Sequence, residues 1–180
     1  MFLYDQQSST GSLLAEADAV IQTQHPAQSF TPALASVGFI SLLLADLNGG
    51  NGAGATVYIN LSSNSVTGPI ISSTDPVFMP DSFGGGGGNV TNFLFAAAVL
   101  VSPGTTYYFD PVVQSGDLWV LYFHTPTDYP GGTSYMGGTP FGGDLWFREG
   151  VVVPEPSSIS LLGLGSSLVF IRYFLKKRRT

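Results

Sequence analysis

Asp144 and Glu149 lie five residues apart near the C-terminal end of a strongly acidic segment. Two carboxyl groups turned into one cleft could divide the acid and nucleophile roles of glycoside hydrolysis. Acidic residues near strand ends are ordinarily solvated, however, and the other parts of a catalytic site are missing. The chain has no cysteine, which excludes thiol nucleophiles, disulfides and Cys-based metal sites. It has no G-x-S-x-G elbow for acyl transfer. Its two histidines, His25 and His124, stand far apart beside proline or threonine, with no second ligand at helical spacing, so structural roles are expected of both. Arg148 is the one base in residues 1–153 and is expected to pair with one of the many carboxylates. The expectation is a protein with no enzymatic activity and no cofactor, a glycoside hydrolase being the remotest alternative.

Binding chemistry has more to work with. An exposed Trp or Tyr can stack on the C–H face of a sugar ring while a nearby Asp or Asn accepts bonds from its hydroxyls. Trp119, Tyr122, Tyr129, Tyr135, Phe141 and Trp146 crowd the C-terminal third together with Asp117, Asp128 and Asp144. Trp119, Tyr129, Tyr135 and Trp146 are therefore candidate carbohydrate-binding residues. Tyr129 and Tyr135 fall in a loop-rich stretch and are the better placed, whereas the two tryptophans equally suit a core. The run Asp46-Leu47-Asn48-Gly49-Gly50-Asn51-Gly52 offers Asp46 and Asn48 as weak cation ligands, but it lacks the bidentate Glu of a calcium loop and its residue types suit a turn. A strand follows it, so it is not a dinucleotide loop.

The elements that must position these groups are short β-rich runs alternating with turn clusters, the pattern of a sandwich or barrel. SVGFISLLL from Ser36 reads as a mostly buried strand. In TVYINL, Val57, Ile59 and Leu61 share one face and Thr56, Tyr58 and Asn60 the other. Ile70 and Ile71 make a short strand, the glycines at 84–88 a slack loop, and NFLFAAAVLV and TTYYFDPVV two more strands around a Ser102-Pro103-Gly104 turn. DLWVLYFH is apolar on both faces and suits a central strand. Residues 125–143, rich in Gly, Pro, Thr and Tyr, read as loop, and LWFRE closes the domain. From Ser12 to Gln24, Leu13, Ala17, Val20 and Ile21 have helical spacing, with a lead into an edge strand as the alternative.

Charge is sorted along the chain. Residues 1–153 carry eleven carboxylates and one base, net −10, while residues 154–180 carry five bases and Glu155, net +4. An acidic body argues against nucleic acid, whose phosphates require a cationic face. The stretch 158–175 has one charge, Arg172; as a helix it would reach about 27 Å, close to the hydrocarbon thickness of a bilayer. Arg172 sits near its cationic end and can extend its guanidinium to the headgroups. Lys176, Lys177, Arg178 and Arg179 favour the cytoplasmic side, which would leave the acidic body outside. Ahead of the span, Pro154 and Pro156 lack N–H donors and hold Pro154-Glu155-Pro156 extended and unpaired.

Pro154-Glu155-Pro156, the apolar span and the basic end together resemble the PEP-CTERM sorting signal of bacterial proteins handled by exosortase, a membrane-embedded transpeptidase. The resemblance covers residues 154–180. It implies an exported cell-envelope or extracellular-matrix protein with a structural or adhesive role, first anchored in the inner membrane and then found at the cell surface or beyond after processing. The implied partners are the exosortase, the bilayer through residues 158–175, and polysaccharide; a carbohydrate-binding module acting on exopolysaccharide is the alternative. It also implies an export leader. Met1-Phe2-Leu3-Tyr4-Asp5 has neither a basic region nor a long apolar run, so the leader is expected upstream of Met1 or already removed.

From AQSFTP at 27–32 through SPGTTYY at 102–108 to DLWFREG, the order of segments resembles jelly-roll β-sandwich ectodomains of exported bacterial proteins. The expected fold is thus all-β, a jelly-roll-like antiparallel β-sandwich followed by a single C-terminal transmembrane helix. Residues 1–26 form an N-terminal segment, first strand or loop; 27–150 the sandwich; 151–157 the Pro-Glu-Pro linker; 158–175 the span; and 176–180 the basic tail.

Overall fold

The computed structural model describes residues 1–8, 17–124 and 129–154. Within them the chain is almost wholly strand: β1 (Phe2–Gln7), β2 (Ala17–Val20), β3 (Pro26–Phe30), β4 (Ser36–Asp46), β5 (Ala55–Ser63), β6 (Ile70–Ser73) and β7 (Val77–Met79). There follow β8 (Asn89–Leu100), β9 (Tyr107–Gly116), β10 (Trp119–His124), β11 (Ser134–Met136), β12 (Thr139–Phe141), β13 (Asp144–Leu145) and β14 (Phe147–Val152). One helical turn, α1 (Ile21–Gln24), joins β2 to β3. Among the described residues no helix is long and apolar enough to cross a membrane. The proposed span 158–175, with Arg172, Lys176, Lys177, Arg178 and Arg179, lies outside the described residues, as do Glu155, Pro156, Asp128 and the expected helix start at Ser12.

The strands form two antiparallel sheets of seven in a β-sandwich-like arrangement. The first runs β1-β14-β4-β10-β13, with β2 on β10 and β8 on β4; the second runs β12-β11-β3-β9-β5-β6, with β7 on β5. One apolar cluster lies between them, with Ile40, Leu42, Leu44, Phe93, Trp119, Leu121 and Phe147 from the first sheet and Phe30, Val57, Ile59, Leu61 and Phe109 from the second. The period of two in β5 gives this directly. Val57, Ile59 and Leu61 face the core, and Thr56, Tyr58 and Asn60 face out, as the sequence predicts. β4 is buried along both faces: Ile40, Leu42 and Leu44 enter the core, and Phe39 lies under the rings of Phe2 and Tyr4, at 4.7 and 5.7 Å. β10, apolar throughout, is bonded along both edges, to β2 on one side and to β4 and β13 on the other.

Three expectations are corrected. Residues 134–141 are a hairpin, not loop: Tyr135 faces Pro140, and Gly137 and Gly138 both take positive φ (55° and 84°), as a tight turn between twisted strands requires. The glycine content that suggested a loop is the turn chemistry of this hairpin, and Pro140 is tolerated because β12 is an edge strand. The glycines at 84–88 are not slack either. The Gly88 amide donates to the Gly84 carbonyl at 2.7 Å, and Phe83, at the head of the turn, packs on Trp119 at 5.7 Å. Finally, β1 and β2 are strands of the first sheet, so the sandwich begins ahead of residue 27.

Candidate functional site

The aromatic candidates divide by burial. Trp119 and Trp146 are 0% and 1% exposed and Tyr129 is 5% exposed, so none of the three presents a ring face to a ligand. Trp119 and Tyr129 belong to the apolar core, and Trp146, between the core residues Leu145 and Phe147, lies under the Arg148 guanidinium. The Tyr129 ring meets Phe147 edge-on at 5.2 Å, and its hydroxyl accepts from the Thr31 amide and donates to Gln6 Oε1, each at 3.1 Å. Burial pushes this phenol up to about 12. Tyr135 alone of the four stays half-exposed, edge-on to Tyr108 at 5.9 Å.

The carboxylate pair proposed for hydrolysis is likewise inside. Asp144 and Glu149 are both fully buried. Asp144 accepts from Gln28 Nε2 at 2.9 Å and from the Tyr129 amide at 3.0 Å, while Gln28 Oε1 accepts from the Leu145 amide at 2.9 Å. This network ties β3 of the second sheet to β13 of the first. Neither Glu149 oxygen has a hydrogen-bond partner, and burial, reinforced by the negative charge of Asp5, pushes its carboxyl up to about 9. Asp5 is the extra residue of a β-bulge in β1 and accepts from the Ala33 and Leu34 amides, both at 2.8 Å. Arg148 points the other way from Glu149 in β14. It pairs with no carboxylate among the described residues; its guanidinium lies 4.8 Å from the Trp146 ring centre and 5.4 Å from that of Tyr4. The expected ion pair is replaced by a cation–π contact.

At one end of the sandwich Asp46, Asp81 and Asp117 gather around residues 48–52. Asp46 accepts from the Asn48 and Ser82 amides, both at 2.9 Å; Asp81 from Gly50 and Gly52, at 2.7 and 2.9 Å; and Asp117 from Leu118 at 2.7 Å and from the side chains of Asn48 and Asn51. Amide donors stabilise the ionised forms of Asp81 and Asp117 and hold both carboxyls below the usual carboxylate range. The oxygens that would ligate a cation are engaged in shaping the turn. Among the described residues no group of three His, Cys, Asp or Glu could hold a metal ion.

A different surface has the form of a site. In β9, Tyr107 and Phe109 enter the core, which leaves Tyr108, Asp110 and Val112 on the outward face beside Tyr58 and Asn60 of β5. A depression of about 240 Å³ lies between α1 and β9, lined by Ile21, Gln22, His25, Asp110, Pro111, Val112 and Val113. Val112 and Val113 also line a neighbouring one of about 500 Å³, with Tyr58, Ser73, Thr74, Pro76 and Gln114. His25 ends α1 in a left-handed conformation, φ 46°, which turns the chain into β3 and leaves its side chain exposed at the rim. Asp110 is oriented by a cross-strand ladder: Ser73 Oγ donates to Asn60 Oδ1 at 2.7 Å, and Asn60 Nδ2 donates to Asp110 Oδ2 at 3.3 Å. Burial pushes the Asp110 carboxyl up to about 6, against the opposing pull of Asn60 and of His25. Sequence reasoning passed over Tyr58, Tyr108 and Asp110. Their signal was an aromatic or acidic residue at the outward positions of otherwise alternating strands.

The chain leaves the sandwich beside β1. Phe2 pairs with Val152, the Val153 amide donates to the Met1 carbonyl at 2.9 Å, and Pro154 is exposed immediately after. No protein-family model matches the chain, and no curated protein matches it.

Proposed function

We propose that this is an exported bacterial cell-envelope or extracellular-matrix protein, sorted by an exosortase-type transpeptidase through residues 154–180, with the β-sandwich as its structural or adhesive body. One observation carries the reading: Pro154-Glu155-Pro156, an apolar stretch with a single Arg, and a terminal Lys/Arg block follow one another in that order. The fold is compatible with it. The last described strand ends at Val152, so a cut near Pro156 would remove none of the described strands. Consecutive strands also pass repeatedly from one sheet to the other, which supports a jelly-roll-like topology. On this reading the protein is a substrate of chemistry, not an agent of it.

The test is mass spectrometry of the mature C-terminus from native cells. Truncation near Pro156 is expected, together with accumulation of the uncut form when Pro154, Glu155 and Pro156 are all changed to Ala. Surface protein that still ends at Thr180 would overturn the reading.

A further inference from the structure

We propose that the outward face of the second sheet, from Tyr58 across Val112 to Asp110 and His25, is a binding trough for an uncharged saccharide chain. Two neighbouring depressions share Val112 and Val113 of β9 and together make up the proposed channel. Tyr58 pairs across the ladder with Val112, and Asn60 with Asp110. Apolar surface and hydrogen-bonding groups are thereby placed side by side, as a sugar requires, with its C–H faces beside its hydroxyls. The Asp110 carboxylate is held through one oxygen by Asn60, and its other oxygen has no partner among the described residues, which leaves an oriented acceptor open to the channel. Gln114 and Ser73 add polar groups at the other end.

Charge selects among ligands. No Lys or Arg lines either depression, so a uronate or phosphorylated polymer would meet Asp110 with nothing to neutralise it. An extended peptide would add to a strand edge, and over residues 110–113 β9 is paired with β5 but not with β3, so a peptide is the competing occupant: tight binding of a neutral extended peptide in place of every hexaose would overturn the assignment. Hydrolysis would need a second carboxyl group, and among the described residues Asp110 is the one carboxylate lining the channel. The geometry is that of binding without cleavage. It rests on this face alone and not on the sorting signal.

The experiment is calorimetric titration of the full-length chain, in a detergent without a sugar headgroup, with hexaoses of β-linked glucose, xylose and galactose, and with hexagalacturonate as the charged control. At least one neutral hexaose should bind, and Asp110→Asn and Tyr58→Ala should each weaken it by about tenfold or more with the unfolding midpoint unchanged. Should either variant unfold early, Gln114→Ala at an exposed position of the same channel replaces it and should show the same loss. Tyr129→Phe, in the core, should leave binding intact. The assignment is overturned if no neutral hexaose binds, if binding survives these channel substitutions, or if hexagalacturonate binds as tightly. The mature C-terminus can be intact or cut in any of these cases, so the two readings fail separately.

Discussion

Glu149 shows what a single buried carboxyl group does to this protein. Its side chain follows Phe147 inward from β14, meets no hydrogen-bond donor, and keeps its proton to about pH 9. In the unfolded chain the same group ionises near 4.5. Between those values the unfolded state binds fewer protons than the folded one, so stability is highest below about pH 4.5 and falls as pH rises through the window. Glu149→Gln removes that dependence. At pH 7 it should stabilise the protein by on the order of 3 kcal/mol, and urea unfolding at pH 5, 7 and 9 should show a flatter profile than wild type. Tyr129 is the opposite case, a fully used polar group. Tyr129→Phe removes the hydroxyl partner of the part-buried Thr31 amide and of Gln6 Oε1 and should cost about 1–2 kcal/mol, read as a lower midpoint in the same titration. Neither effect is visible in sequence, because burial and partners come from distant strands.

Among the elements, β14 carries a ring that packs against both sheets. Phe147 lies within 6.5 Å, centre to centre, of the rings of Phe30, Phe109 and Tyr129, so it joins both sheets. Phe147→Ala should cost about 3–5 kcal/mol by differential scanning calorimetry. The turn between β9 and β10 depends on Gly116, at φ 108°, where a Cβ would strike the Gly54 carbonyl and the Ala55 backbone. Gly116→Ala should cost about 2 kcal/mol or more, from backbone strain combined with the clash. The strands themselves were legible where one face is polar, as in β5, or where both are apolar, as in β4 and β10. β1 was not: FLYDQQ has little alternation, and it is a strand because β14 offers it an edge. The β11–β12 hairpin was hidden because its two turn glycines look like loop composition until their positive φ angles are seen.

For the whole molecule, one core spanning both sheets predicts one cooperative transition. Backbone circular dichroism and tryptophan fluorescence should give coincident denaturation curves, since Trp119 and Trp146 are both buried in the folded state. Separate transitions would mean that the sheets can part. A net charge of −10 on residues 1–153 keeps the body apart from anionic surfaces, every Lys and Arg except Arg148 lying beyond Pro154.

The sequence alone determined the all-β class, the burial of β4, the inward face of β5 and the segregation of charge, because residue order sets side-chain periodicity and net charge without reference to distant contacts. It also supplies the C-terminal pattern on which the sorting proposal rests. Tertiary structure decided which aromatic rings reach solvent. Trp119, Tyr129 and Trp146 were candidates by type and neighbourhood, yet each is buried, the first two in the core between the sheets and Trp146 under the Arg148 guanidinium, whereas Tyr58 and Asp110 came to share an outward face through the register of β5 against β9. Exposure depends on which strands pack together, and no local pattern of residues contains that information.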